Sequence, residues 1–257
     1  MSAESDIKIN RLTTDRDLYR QRISSRTAYH WQISYRFTNL YIASDRDIAD
    51  AVVKYLPRFY RILEMVATEN PSFLKALSPI SIGGDYPPII SRMAAGSRQF
   101  KVGPMAAVAG AACDYLAEKA GSRCSTLIIE NGGDTYIKSK QDIVAQVFTS
   151  SPRLSGKIKL NIPHHITPCG LCCSSGQFGH SLSLGKSEIA CVLASTATAA
   201  DAAATALANH ILEASHIGPA LDRFKGEKGL WGLLAVKDKK IGLWGKLAIM
   251  LLICLMF

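Results

Sequence analysis

The sequence predicts an α+β protein, and three observations carry that expectation. A small-residue helix with flanking strand-like stretches is legible near 103–138, and a second near 189–245. Strands and helices gathered in such runs argue for packed α+β layers over a doubly wound parallel sheet. Asn131-Gly132-Gly133-Asp134 lies between two strand-like stretches and is good hairpin chemistry, since Asn-Gly and Gly-Gly tolerate positive φ. Of the 257 residues, 48% are apolar and 20% charged, enough for one large domain or two modest ones with a buried core.

The elements follow in chain order. Ile33 to Ile42 is aromatic and β-branched and reads as a strand. Ser44-Asp45-Arg46-Asp47 then opens an amphipathic helix to about Glu69, with Ser44 as N-cap, Asp47 at N3 and Pro57 kinking or dividing it. Pro71 to Phe100 is rich in Pro, Gly and Ser and reads as loop with short helical pieces. A small-residue helix runs from Gly103 to about Gly121, followed by strands at Ser125–Glu130 and Thr135–Lys138. Val144–Phe148 and Lys157–Ile162 extend the sheet, and Ile189–Leu193 is a buried strand leading into the alanine-rich helix around Asp201. Gly229 to Gly245 closes the chain as a hairpin turning at Lys237-Asp238-Lys239-Lys240. Beyond it, Leu247–Phe257 is wholly apolar but too short to span a bilayer as a helix, so a buried strand with a hydrophobic tail is expected.

Charge and cysteine usage narrow the class. A formal charge of +9 implies affinity for anions. Arg11, Arg16, Arg20, Arg22, Arg26 and Arg36 interleave with Tyr19, Tyr29, Trp31, Tyr35 and Phe37, which raises nucleic acid as a partner. No named nucleic-acid motif accompanies them. A solvated sheet edge with arginines paired to Asp15 and Asp17 is the favoured reading. The N-terminus lacks a basic region followed by an apolar core, so no secretory signal is read there. Seven cysteines without regular spacing fit a reducing compartment, and the cytoplasm is expected.

Several constellations could carry chemistry. Asp201 and Thr205 are four residues apart in a run otherwise of alanine and leucine, so on a helix they project side by side. Hard oxygen donors at that spacing suit Mg²⁺, which often takes only one or two protein ligands. The alternative is local: Thr198-x-x-Asp201 has capping-box spacing. Gly103-Pro104-Met105 opens a helix whose free N–H groups could hold a phosphate, or whose small residues could serve tight packing. Asn131, Gly132, Gly133 and Asp134 form either a plain turn or a backbone cradle for a ligand. Cys169, Cys172 and Cys173 lie near His164, His165 and His180, yet zinc wants two regularly spaced halves, so buried free thiols are expected. Ser174-Ser175-Gly176 offers hydroxyls and a glycine for a polar ligand loop, and no G-x-S-x-G elbow supports a hydrolase.

Four of these pieces, in this order, resemble the ApbE superfamily, whose characterised members are Mg²⁺-dependent FAD:protein FMN transferases. Gly103-Pro104-Met105-Ala106-Ala107 through Asp114 is similar to that family's glycine-opened helix, and Asn131-Gly132-Gly133-Asp134 to its "N-A-G-G-D" turn. Ser174-Ser175-Gly176 resembles its serine–glycine strand, with the family's histidine falling at His180. Ala200-Asp201-Ala202-Ala203-Ala204-Thr205-Ala206-Leu207 is similar to its "A-D-A-L-A-T-A-L" helix. The resemblance implies a two-layer T-fold-like architecture in one domain over 1–257, with the motifs in 101–246. It implies Mg²⁺ on Asp201 and Thr205, FAD or another nucleotide as small-molecule ligand, and His180 as the acid–base residue. It also implies an acceptor protein that the residues do not identify. One segment departs: transferases carry Ile-x-Asp-Pro-x-Thr-Gly after the histidine, whereas Ser181-Leu182-Ser183-Leu184-Gly185 stands here. With that departure and no export signal, the chain is most similar to the cytoplasmic, ApbE-like branch.

Overall fold

A computed structural model describes residues 7–11, 27–149, 154–176 and 185–251. The N-terminal half begins with strands β1 (Lys8–Arg11), β2 (Tyr29–Tyr35) and β3 (Thr38–Ser44). Helices α1 (Ala49–Glu69), α2 (Pro88–Phe100) and α3 (Val108–Lys119) come next. Strands β4 (Leu127–Asn131), β5 (Asp134–Lys138), β6 (Ile143–Val147), β7 (Ile158–Ile162), β8 (Cys169–Ser174) and β9 (Ile189–Ala194) follow. The chain continues with helices α4 (Ala197–Asn209) and α5 (Ile217–Phe224), then strands β10 (Leu230–Lys237), β11 (Lys240–Gly245) and β12 (Ala248–Leu251).

Nine strands form one sheet in the order β1-β2-β3-β4-β5-β8-β9-β10-β11, with every neighbouring pair antiparallel. Period-two alternation splits its side chains between two cores. Ile33, Leu40, Ile42, Leu127, Ile129, Val192 and Leu233 face the helices. Tyr41, Ala43, Ile128, Leu171, Leu193 and Leu234 face the other way. That second face is covered by a three-stranded sheet in the order β12-β7-β6, through Ile143, Ile158, Leu160 and Ile162. Central strand β9 is therefore buried throughout, which its unbroken apolar sequence Ile189-Ala190-Cys191-Val192-Leu193-Ala194 allows.

The α+β class stands, but several boundaries differ from expectation. Ile33–Ile42 is a hairpin, not one strand: Arg36 turns the chain at φ 51° and Phe37 projects fully into solvent. Neither residue carries the Asn-Gly signal that marks such turns. Ser44 belongs to β3 and donates its hydroxyl to the Arg46 carbonyl, while α1 begins at Ala49, whose N–H is taken by Asp47 Oδ1. Pro57 does not divide α1, because Val52, Leu56, Phe59, Leu63 and Val66 bury one continuous face. The stretch expected to be loop contains α2, a full helix burying Ile89, Ile90, Met93 and Phe100. Strands β6 and β7 lie in the small sheet and do not extend the large one. The expected terminal strand is present as β12, paired with β7, while residues 252–257 lie outside the described residues. So do Arg16, Arg20, Arg22 and Arg26, together with Asp15 and Asp17. Arg36 pairs with Glu64 and lies over Tyr35 and Tyr60. Among the described residues no helix is long and apolar enough to cross a membrane.

Candidate functional site

Two helices of small residues meet over the middle of the sheet and cap one another. Gly110, in the first turn of α3, approaches α4 so closely that a Cβ would collide with the Ala197 carbonyl and lie 2.9 Å from Asp201 Cβ. Its N–H donates to Asp201 Oδ2 at 2.9 Å. In return Asp114 of α3 accepts from Ala197 N at 3.1 Å, Thr198 N at 2.8 Å and Thr198 Oγ1 at 2.6 Å, in the first turn of α4. Each carboxylate thus sits at the positive end of the other helix. The true N-cap of α4 is Thr196, which accepts from Ala199 N, so the Thr198-x-x-Asp201 capping box does not form. Asp201 caps a neighbour, not its own helix.

The turn Asn131–Asp134 meets this crossing from the sheet side. Gly132 and Gly133 take φ +66° and +105°, and Asn131 pairs with Asp134 across the hairpin, as a tight two-residue loop requires. Asn131 Nδ2 donates to the Ala109 carbonyl at 3.5 Å, tying the turn to the start of α3. Glu130 Oε1 accepts from Gly133 N at 2.8 Å. Asp134 is 8% exposed, and its Oδ1 has no hydrogen-bond partner among the described residues. Burial and then the Asp201 charge push the Asp134 carboxyl well above the usual carboxylate range. Burial likewise lifts Asp201 to about 7 against the hydrogen bonds from Gly110 and Ala109. The leading influences on these two carboxyls are burial, neighbouring carboxylates and hydrogen bonds, whereas Asp114 has Arg92 beside it among the described residues.

The other expected site residues fall into three groups. Thr205, 6% exposed, lies one turn after Asp201 on the same face of α4. Ser174 faces the helices from the end of β8, 4% exposed, with its Oγ unpartnered among the described residues. Ser175 Oγ and Gly176 N both donate to the Ser187 carbonyl, and Gly176 abuts Gly185. Gly103 stands apart, packed against the Ala76 carbonyl with no room for a Cβ and followed by a 3₁₀ turn before α3 begins. His180 lies outside the described residues.

The cysteine expectation is partly overturned. Cys173 and Cys191 are directly opposed across β8 and β9 and form a disulfide. Cys169 and Cys172 remain buried free thiols. They lie three apart on a strand and so face opposite cores, which prevents the pair from closing on one metal. Among the described residues no cluster of three or more His, Cys, Asp or Glu is placed to hold a metal. Mg²⁺ does not need one, since one or two carboxylates with water and phosphate complete its shell. An open cleft of about 940 Å³ among Asp45, Arg46, Lys119 and Arg123 lies at the N-terminus of α1 and shares no residue with this site. Sequence reasoning missed the cap made by Asp114; a lone aspartate within an apolar helical run was its only signal.

Comparison with known proteins agrees with this architecture. The family model described as "AbpE bacteria" matches residues 20–227. A UPF0280 protein of Methanobrevibacter smithii is 35% identical over 203 residues, covering 76% of this chain and 84% of its own. Another, from Methanococcus aeolicus, is 31% identical over 224 residues, covering 85% and 90%. Among solved structures, the ApbE protein of Thermotoga maritima superposes with TM-score 0.52 at 13% identity, over 84% of this chain and 96% of that one. A point variant of the flavin transferase ApbE from Vibrio cholerae gives 0.51 at 12%, over the same shares. The protein has the ApbE fold. The chain belongs to the ApbE-like family that the matched model describes, together with the UPF0280 proteins.

Proposed function

We propose that this protein binds a flavin or another nucleotide carrying a diphosphate, together with Mg²⁺, and cleaves a bond at that diphosphate as an FMN-transferase-like enzyme. The observation that carries the reading is the uncompensated pair of buried carboxylates, Asp134 and Asp201, where the double-glycine turn meets the first turn of α3. Two ionised carboxylates buried together without a cation are strongly disfavoured, so the arrangement suits a bound metal. Asp201 and Thr205 hold the cation. Gly132 and Gly133 lack side chains that would fill the space over the turn, Asn131 and Asp134 flank them, and Ser174, Ser175 and Gly176 line the neighbouring strand end. Gly103 acts indirectly, by letting the chain pack closely before α3. His180 is the acid–base group in this reading, since imidazole is the side chain that ordinarily changes charge near neutral pH. Bound there, the ion would neutralise diphosphate charge and stabilise a leaving phosphate. FAD is the first ligand to test, because the flavin transferases share this fold.

Sequence departure favours a second reading. Ser181-Leu182-Ser183-Leu184-Gly185 lacks the Asp-Pro element that transferases carry, which fits a module that binds without turnover. One experiment addresses both. FAD with Mg²⁺ should raise the melting temperature by several degrees at about a hundredfold excess over Kd, and chelation should abolish the shift. No shift with FAD or any other dinucleotide refutes the proposal. AMP released from FAD selects the enzyme, and binding without release selects the module.

A further inference from the structure

We propose that Asp134 is a second carboxylate ligand of the same divalent cation, so that the ion ties the β4–β5 hairpin to α4. This rests on the reading of Asp201 and Thr205 as cation-holding residues. Asp134 opens β5 and stands directly opposite Cys172 of β8, on the face turned toward the helices. Its Oδ1 is buried and has no partner among the described residues. Two positions along β8 on the same face, the Ser174 hydroxyl is equally buried and equally without a partner. Two orphaned oxygens on adjacent strands therefore border the crossing where Asp201 and Thr205 project from α4.

The chemistry of the surroundings selects the ligand. The Cys172 thiol lies beside the Asp134 carboxylate, which also accepts from the Cys173 N–H, and Cys113 donates to the Asp134 backbone carbonyl at 3.4 Å. Both thiols are buried and donate to backbone carbonyls, Cys113 to Asp134 and Cys172 to Ala197 at 3.3 Å, so both are held as neutral donors. They neither balance the carboxylates nor offer a thiolate to a soft metal. What remains is an all-oxygen donor set of two carboxylates and two hydroxyls, which suits Mg²⁺ or Mn²⁺ over zinc. A purely structural role for Asp134 leaves its Oδ1 unexplained, since a structural acceptor would be bonded.

Mn²⁺ binding to the full chain without nucleotide, followed by electron paramagnetic resonance, tests the assignment. Asp134→Asn should weaken Mn²⁺ at least tenfold, and Asp201→Asn should do the same. Metal-free Asp134→Asn should melt above the metal-free parent, because it removes an uncompensated carboxylate, and Mn²⁺ should stabilise it far less. Mn²⁺ affinity within twofold of the parent overturns the inference, as does a lowered metal-free melting temperature. Asp134→Ser serves as a second neutral variant, and failure of both to fold is likewise an overturning result. FAD titrations in Mg²⁺ separate this from the nucleotide proposal. Mn²⁺ binding that depends on Asp134, without any FAD binding, sinks the nucleotide reading alone. Mg²⁺-dependent FAD binding with unchanged Mn²⁺ affinity in Asp134→Asn sinks this inference alone.

Discussion

Helices α3 and α4 cap one another through Asp201 and Asp114, and that exchange gives an aspartate in an alanine run a structural task besides any ligand. Asp201 Oδ2 is committed to Gly110 N at 2.9 Å, which fixes the carboxylate's direction. A positioned carboxylate is what a metal site needs, because its supporting hydrogen bonds orient the ligand. Gly110 is therefore the residue on which both tasks depend. Its replacement by alanine would drive a methyl group into the Ala197 backbone, which cannot swing aside as a side-chain end could. Gly110→Ala is expected to lose about 2–3 kcal/mol, as overpacking of a close contact does. A urea midpoint lowered with unchanged slope would show it. Divalent-ion affinity should fall with it, because Asp201 loses its anchor. A variant as stable as the parent would mean that the helices have room to part.

Which elements could be read from sequence follows from where their determinants lie. The β4–β5 hairpin, α4 and the β10–β11 hairpin were legible because their signals are local: Gly132-Gly133, an alanine run, and Asp238-Lys239, whose φ of 49° and 65° the turn demands. Helix α2 was hidden by Ser91, Gly96 and Ser97, which read as loop; Gly96 and Ser97 are buried only once the helix packs, with Gly96 against Ala202 of α4. Strands β6 and β7 look like any other apolar alternation, and no residue in them states which sheet they join. In the site, Asp201, Thr205 and the turn were visible as motifs. The reciprocal cap was not, because hydrogen bonds between residues 83 or more positions apart leave no mark on spacing. Asp45 is a similar long-range tie. Its carboxylate accepts from Ser125 N at 3.1 Å and Ser125 Oγ at 2.5 Å, joining the end of β3 to the approach of β4. Burial alone would raise its carboxyl, but the Ser125 and Thr126 hydrogen bonds outweigh that and hold it below the usual range. Asp45→Ala should cost about 2 kcal/mol at pH 7, typical of bonds to a charged acceptor. Because the folded carboxyl is the stronger acid, its contribution is full at neutral pH and disappears as pH falls below about 4. Denaturation curves of the two proteins should therefore converge in acid; a constant gap would exclude an ionic acceptor.

Across the whole molecule, the formal charge of +9 contrasts with an interior that gathers Asp114, Asp134 and Asp201 beneath the helices. The net positive field attracts anions to the surface, while buried carboxylates, once ionised, would favour a cation. This arrangement sets the pH response of the metal-free protein. Asp201 titrates near 3.8 when unfolded and about 7 when folded, so between those values the folded chain binds more protons than the unfolded one. Stability must then fall as pH rises through that window, by at most on the order of 4 kcal/mol from this group. Asp134, shifted in the same direction, adds to the decline. Below about pH 4 the Asp45 contribution acts the opposite way, so metal-free stability should peak in mildly acid solution. Mg²⁺ or Mn²⁺ should reverse the slope, because a cation binds the ionised carboxylates and competes with protons for them. Thermal midpoints recorded with chelator and then with excess Mg²⁺, from pH 4 to pH 8, give the comparison. The chelated series should descend, the Mg²⁺ series should stay level or climb, and Asp201→Asn should flatten the first and erase the gap at neutral pH. A chelated series that climbs with pH would place the two carboxylates in solvent, and with them the basis for a cation at this crossing would be gone.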